Sequence, residues 1–146
     1  MTVRLILALI VSVPLAGCGR EGPALYPVRG TVHVNGRPAE RVVVSFQHTD
    51  PAVKGNAAHP CAVTDETGGF KLATNKDGDG AVEGEYLVTF TWQSDPDPDR
   101  ARDLFSGTYA DTKKTTFRVK VGSGGETELP PFELTADPVQ VKKFVK

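Results

Sequence analysis

The segment from Glu85 to Gln93, EYLVTFTWQ, limits the possible folds of this chain more than any other. Its large apolar residues share one parity: Tyr86, Val88, Phe90 and Trp92. The opposite parity carries Thr89 and Thr91. A two-residue period of this kind is typical of a β-strand with one buried face. The chain therefore needs other strands that pair with this segment and cover its apolar side.

Six further segments have the composition of strands: 28–34, 41–48, 61–64, 69–73, 115–121 and 127–135. Asn35-Gly36, between the first two, is a strong hairpin-turn motif. Pro130-Pro131 restricts the last segment to a sheet edge or a bulge. No segment has a convincing helical period, and the 15 Gly and 11 Pro favour short strands joined by turns. The sequence thus predicts an all-β fold, a seven-stranded antiparallel Greek-key β-sandwich.

The N-terminus has the features of a secretion signal. Arg4 is followed by an apolar run, Leu5 to Leu15, which is shorter than the roughly 20 residues that span a bilayer. The next residues, LAGC at 15–18, resemble the lipobox of bacterial lipoproteins. The resemblance implies cleavage before Cys18 and acylation of its sulfur, so that a covalent lipid holds the protein on a membrane.

These features divide the chain into four predicted parts: a cleaved signal peptide (1–17), a lipidated tether (18–27), the β-sandwich domain (28–136) and a tail (137–146). We expect the protein in the cell envelope, facing the periplasm or the exterior. Gly19 favours the outer membrane in envelopes that sort lipoproteins by the residue after the Cys. The tail is compatible with an edge strand or a loose basic end. With Cys18 acylated, Cys61 has no disulfide partner, and its apolar neighbours predict a buried side chain.

Three stretches carry a family resemblance when they are taken together: Gly30–Phe46 (GTVHVNGRPAERVVVSF), Thr64–Leu72 (TDETGGFKL) and Gly78–Trp92 (GDGAVEGEYLVTFTW). They resemble the carboxypeptidase regulatory-like domain, a prealbumin-like β-sandwich related in shape to transthyretin. A fourth stretch, Tyr109–Gly124, resembles the last third of small bacterial lipoproteins built on this domain. The resemblance implies a module without catalytic activity, since the zinc peptidase of carboxypeptidases is a separate domain.

Each motif residue has an expected structural role. Gly36 permits the hairpin turn, Asp65 caps the turn at Gly68, and Tyr86 packs in the core with its hydroxyl on a backbone partner. Enzyme motifs do not occur: the chain has no G-x-S-x-G nucleophile turn and no G-x-x-x-x-G-K-[ST] phosphate-binding loop. We therefore expect no enzymatic activity and no cofactor besides the covalent lipid.

One short segment, NKDGDGAVEGEY at 75–86, begins like a calcium-binding loop. Its candidate ligands are Asn75, Asp77, Asp79 and Glu83. The twelfth position, where such loops carry a bidentate Glu, is Tyr86. The sequence therefore leaves two interpretations: a weak calcium site over 75–83, or a Gly/Asp-rich turn between strands, which the resemblance favours.

A second loop is the candidate contact surface. The segment 93–109 is acidic and interrupted by prolines, and function in β-sandwiches concentrates in loops. The candidate contact residues are Trp92, Asp95, Asp97, Arg100, Arg102 and Tyr109. The alternative is a solvated loop without a partner.

The function that the sequence favours is a lipid-anchored, non-catalytic envelope module that binds or assembles with envelope proteins. A glycan-binding module is the alternative, and it would need an exposed aromatic platform such as Trp92 beside Tyr109. Nucleic acid is not an expected partner, because the formal net charge is −1 and no basic patch is interleaved with aromatic residues.

Overall fold

The structure is a computed structural model that describes residues 22–144. The predicted signal peptide, 1–17, and the predicted lipidation site, Cys18, lie outside the described residues. Within 22–144 there are nine strands: β1 Val28–Val34, β2 Arg37–Pro38, β3 Val42–His48, β4 Cys61–Val63, β5 Gly69–Lys71, β6 Gly84–Trp92, β7 Arg118–Val121, β8 Thr127–Glu128 and β9 Phe132–Leu134. A 3-10 helix spans Gly55–Ala58, and a helix, α1, spans Pro138–Phe144. Neither is long and apolar enough to cross a membrane.

The strands form two sheets. The first sheet is built around β1, which pairs with β2 and β5 in antiparallel fashion and with β8 and β9 in parallel. The second sheet has the order β4-β3-β6-β7, and its pairs are all antiparallel. The long pair β3–β6 runs in register from Val42↔Trp92 to His48↔Tyr86. An isolated bridge between Cys61 and Ala73 links the two sheets along one side.

The predicted all-β sandwich is confirmed, with three differences in detail. The turn at Asn35-Gly36 pairs β1 with the short strand β2, whereas the predicted second strand, 41–48, lies in the other sheet as β3. The last predicted strand, 127–135, is divided into β8 and β9 because Pro130 and Pro131 have no N–H to donate to a ladder. Both pieces run parallel to β1, which departs from the antiparallel expectation. The turn after Val121 carries the chain across to the first sheet, at the end where β1 begins. There the Thr127 N–H donates to Pro27 O at 2.8 Å, and the chain then runs in the same direction as β1.

The expectation for the tail was wrong. Pro138–Phe144 forms α1 rather than an edge strand or a loose end. Asp137 precedes the helix, and its carboxylate accepts a hydrogen bond from the Val139 N–H at 2.8 Å. Asp at the N-cap followed by Pro at the first helical position is a recognised helix start, so the sequence did carry the signal.

The core lies between the sheets and is aromatic. The predicted inward residues of β6 are buried, with Tyr86, Val88 and Phe90 at 0% exposure. Phe90 meets Phe132 of the opposite sheet, with ring centroids 5.0 Å apart. The Tyr86 hydroxyl donates to Val82 O at 2.9 Å, as predicted, and burial raises the pKa of Tyr86 to about 12 although that bond lowers it. Burial of these rings is the main stabilising contribution to the sandwich.

The predicted turn chemistry is also confirmed. Asn35 and Gly36 adopt φ values of 52° and 76°, the left-handed pair that a two-residue hairpin turn between β1 and β2 requires. The Asp65 carboxylate accepts bonds from the Thr67 hydroxyl and the N–H groups of Thr67 and Gly69. These bonds hold the pKa of Asp65 below its ordinary value, and the bond from the Thr67 hydroxyl has the largest effect.

The sandwich has two ends that differ in content. One end, here called the N-terminal pole, holds the entry of the chain, the loop 74–80 and the turn 122–126. Its contacts include Tyr26 N–H to Ala81 O at 2.8 Å. The other end, the loop pole, holds residues 35–41, the loop 93–111 and the start of α1. There the Asn35 side chain bonds the backbone of Ala136, and Gln93 N–H donates to Arg41 O.

Candidate functional site

The loop 74–80 is organised by one carboxylate. Asp79 Oδ1 accepts the Thr74 N–H at 2.7 Å, and its Oδ2 accepts the Asn75 and Lys76 N–H groups at 3.0 and 2.8 Å. Burial raises the pKa of Asp79, but the three N–H bonds and the Lys76 charge outweigh it, so the net pKa lies below the ordinary value. Both oxygens are thus engaged in holding the backbone of the loop.

Glycines make this loop possible. Gly80 adopts φ 89° directly beside the entering chain, and a Cβ there would lie 1.9 Å from Tyr26 O. Gly78 also has a positive φ, 70°, but a Cβ there would meet only Lys71 side-chain atoms at 3.8 Å. The glycines of the DGDG motif therefore serve a tight turn that packs against Tyr26.

The predicted calcium ligands do not converge. Asn75 and Asp79 line an open depression of about 620 Å³ with residues 22–25, whereas Asp77 lines a different one beside Lys71. Glu83 is exposed, and its backbone oxygen bonds His48 Nε2 at 3.2 Å. Within residues 22–144 no three His, Cys, Asp or Glu side chains are grouped to hold a metal ion. The geometry favours the turn interpretation of this segment.

Two of the six predicted contact residues belong to the core. Trp92 is 8% exposed, its indole N–H donates to Glu40 O at 2.9 Å, and its ring packs on Phe105 with centroids 5.6 Å apart. Tyr109 packs edge-on against Phe105 at 4.9 Å, and its hydroxyl meets Thr135. These two rings anchor the loop and do not form the exposed platform that a glycan site needs.

Sequence reasoning missed the residue that organises the second loop, Asp103. Its carboxylate accepts N–H bonds from Trp92 at 2.9 Å, Phe105 at 3.0 Å and Gly107 at 2.8 Å. Those bonds tie the loop to the end of β6, where an isolated bridge joins Gln93 and Asp103. The signal was an Asp two residues ahead of Phe105 and four ahead of Gly107, the spacing of an Asx turn.

The remaining predicted contact residues form a surface network at the loop pole. Arg100 lies 3.0 Å from Asp97 and 3.5 Å from Asp95, and its side chain is 70% exposed. The Asp97 N–H donates to Asp95 Oδ1 at 2.9 Å, and the Arg102 N–H donates to Ser94 Oγ at 2.9 Å. Exposed ion pairs of this kind add little stability, so their carboxylates and guanidinium remain able to meet a polar partner.

The expectation that Cys61 is buried was wrong. Cys61 is exposed on the edge strand β4, where its register partner is Ser45 of β3. Alternation places Cys61 and Val63 on the outer side of the sheet, and Val63 is 55% exposed. In a short apolar strand at a sheet edge, alternate residues face solvent. The composition of CAV does not show which of its residues these are.

Comparison with known proteins finds no matching family model and no matching curated protein. Solved structures of similar shape include a DUF3823 family protein from Parabacteroides merdae, with 15% identity, a TM-score of 0.45, and 79% of this chain and 48% of that one covered. The major pilin subunit of Bacillus cereus is 15% identical, with a TM-score of 0.43 over 76% of this chain and 30% of that one. A proposed carbohydrate-binding protein from Pseudomonas aeruginosa is 14% identical, with a TM-score of 0.40 over 77% and 89%. The chain thus spans about half of the first of these proteins.

Proposed function

We propose that the protein is a lipid-anchored, non-catalytic module of the cell envelope, held on a membrane through Cys18 and presenting its loop pole to envelope partners. The observation that carries this proposal is the LAGC motif at 15–18, behind Arg4 and an apolar run. Acyl chains contribute about 0.8 kcal/mol for each buried methylene, so multiple acylation of one Cys provides a stable anchor.

The position of the folded domain supports the anchor. The first backbone pairing in residues 22–144 is Tyr26↔Ala81, eight residues after Cys18. Eight extended residues reach at most about 29 Å, so a lipid on Cys18 keeps the N-terminal pole close to the bilayer surface. The loop 93–111 lies at the opposite pole, where it is the part of the sandwich best placed to meet another envelope component.

The non-catalytic part of the proposal is supported by what the carboxylates do. Asp65, Asp79 and Asp103 each accept several hydrogen bonds from their own loops. A general acid or base must instead offer its proton-transfer atom to a substrate. At the surface of the loop pole, Arg100 is paired with Asp95 and Asp97.

Metabolic labelling with a palmitate analogue tests the anchor. We expect the full-length chain to incorporate label and to sediment with membranes, and the Cys18→Ala variant to lose both properties. The Cys61→Ala variant is the matched control, because it removes the exposed thiol and should keep full labelling. Labelling that persists in Cys18→Ala but disappears in Cys61→Ala would refute the proposal.

A further inference from the structure

Strand β7 has an open edge. It is the last strand of the second sheet and pairs with β6 on one side. The Val88 N–H donates to Phe117 O at 3.0 Å, so these two residues form a hydrogen-bonded pair of the antiparallel ladder. Such pairs alternate with pairs that are not hydrogen-bonded, so the N–H and C=O groups of Arg118 and Lys120 point away from β6. Within residues 22–144 no other hydrogen bond reaches these groups.

The other edges of the two sheets are shorter or already occupied. Cys61 of β4 and Ala73, which follows β5, exchange backbone bonds that join the two sheets. Strand β2 has two residues, and β8 and β9 are separated by Pro130-Pro131. Very short strands and prolines are common protection of a sheet edge against unwanted pairing. Strand β7 has four residues and no proline, so it is the edge best able to accept another strand.

The segment that contains β7 is cationic. Four cations lie within it, whereas the acidic residues of 111–121 and of its register partners are Asp111 and Glu85. Lys114 pairs with Asp111 at 3.7 Å, and in the part of the chain that the structure describes the other three cations are in no ion pair. The four are exposed: Lys113, Lys114, Arg118 and Lys120. Like charges opposed across two strands repel, so a second copy of β7 is a poor partner for this edge and an acidic strand is a good one.

We propose that the open edge of β7 binds an extended segment of a partner protein as an additional antiparallel strand, and that this segment alternates acidic and apolar residues. The residues opposite Arg118 and Lys120 would exchange backbone bonds with them and share their outward side of the sheet, where a carboxylate can meet each cation.

The apolar positions of the partner follow from the inner side of β7. Residues between the acidic ones point toward the core, as Val119 and Val121 do. On this side lies the half-buried Phe117, whose ring packs edge-on against Phe132 with centroids 5.8 Å apart. An apolar side chain of the added strand can cover the exposed part of this ring. This surface differs from the loop pole, and it does not depend on the proposed lipid anchor.

Peptide titration followed by NMR tests the proposal. The sample is the isotope-labelled chain from residue 18 with Cys18→Ala, which keeps every residue that the structure describes. The probe is the peptide Thr-Glu-Val-Glu-Val-Glu-Thr with blocked ends. We expect the amide signals of Arg118 and Lys120 to shift and their hydrogen exchange to slow. The dissociation constant should be roughly 0.1–1 mM, because this short edge offers few backbone groups.

Two modified peptides separate strand pairing from simple charge attraction. N-methylation of the Glu residues removes the donors that face β7, whereas N-methylation of the Val residues removes donors that face away from it. We expect the first peptide to bind about tenfold or more weakly than the unmodified one, and the second to change affinity by less than about threefold. Equal weakening by the two modifications, or no binding of the unmodified peptide at about 5 mM, would overturn the inference.

Two charge reversals test the role of the cations. Lys120 and Lys54 are both exposed, and neither is in an ion pair among residues 22–144. Lys120→Glu opposes a carboxylate to the acidic residues of the peptide and should weaken binding by about tenfold or more, whereas Lys54→Glu should leave it within about twofold. Circular dichroism confirms that each variant is folded. Equal effects of the two variants, or signal shifts that lie away from β7, would contradict the proposal. The samples contain no lipid, so the palmitate experiment judges the anchor separately.

Discussion

Two acidic loops lie at opposite poles of the sandwich. In each of them one carboxylate accepts three backbone N–H bonds, but the structural result differs. In the loop 74–80, Asp79 accepts three backbone N–H bonds from consecutive residues, 74–76. In the loop 93–111, Asp103 accepts one N–H bond from Trp92, the last residue of β6, and two from within the loop, from Phe105 and Gly107. The first carboxylate closes a tight turn, and the second fastens a long loop to the end of β6.

The comparison shows that acidic composition alone does not define a ligand site. Each loop contains one organising carboxylate whose oxygens are occupied by backbone, and other acidic residues, such as Asp77 and Asp99, that are exposed. The organising residues are structural, and the exposed ones are available for contacts. Mutations can separate these two groups.

The largest effect is expected at Gly80. Gly80→Ala would place a Cβ 1.9 Å from Tyr26 O at φ 89°, so the turn and the entering chain must both move. We expect a loss of more than about 4 kcal/mol in the free energy of unfolding, or no folded protein. Gly78→Ala is the control, with a loss of about 1 kcal/mol, because its Cβ has room. Urea denaturation compares them, and equal losses at the two positions would show that the close approach to Tyr26 is not decisive.

At the other pole, Asp103→Ala leaves the Trp92, Phe105 and Gly107 N–H groups without their acceptor. Trp92 and Phe105 are buried, so water cannot fully replace the carboxylate, and we expect a loss of about 2–3 kcal/mol. Asp99→Ala, in the same loop and exposed, should change stability by less than about 0.5 kcal/mol. Thermal unfolding distinguishes them; a neutral Asp103→Ala would contradict its role as the organising residue.

Asp79 should have a smaller, pH-dependent effect. Because its pKa in the folded state is below the ordinary value, the carboxylate stabilises the fold above a pH of about 4 and loses this contribution as the pH falls through the folded value. Asp79→Asn should therefore cost about 1–2 kcal/mol at pH 7, since one amide nitrogen cannot accept these bonds, and clearly less near pH 2. Asp77→Asn is the matched control and should be neutral at both pH values. A deficit that stays constant with pH would contradict this assignment.

The smallest effect is expected from calcium. Since Asp79 holds the backbone and Asp77 lies on a different depression, Ca²⁺ should not shift the unfolding temperature of the wild-type chain by more than about 1 °C at 1 mM. Mg²⁺ at the same concentration controls for ionic strength. Calorimetric binding of Ca²⁺ tighter than about 10⁻⁴ M, lost in Asp77→Asn, would restore the calcium interpretation.

Most of the strands could be predicted from the two-residue period of apolar residues and from the turn motifs. The alternation of Tyr86, Val88 and Phe90 placed β6 correctly. Asn35-Gly36 located the first turn, but the strand that follows it in the same sheet is β2 and not the predicted strand 41–48. The direction of β8 and β9 could not be predicted, because it depends on which sheet the chain enters after Val121, a non-local choice. Helix α1 could have been predicted from Asp137-Pro138, since the N-cap bond to Val139 is local.

The candidate site was harder to predict. Trp92 and Tyr109 were proposed as contacts because they flank a loop, but their parity and partners place them against Phe105 in the core. Asp77 and Asp79 have the same composition and spacing as calcium ligands, and only the positive φ values of Gly78 and Gly80 turn Asp79 back onto residues 74–76. Which oxygen meets which N–H is a property of the folded loop.

The proposed anchor requires that the chain is processed at Cys18 and held on a membrane by lipid on that residue. The most direct measurement is the intact mass, with N-terminal fragment sequencing, of the protein extracted from membranes of its own cells. We expect a chain that begins at Cys18 and carries acyl groups on that residue alone. An unmodified chain, or a chain that begins at any other residue, would contradict it.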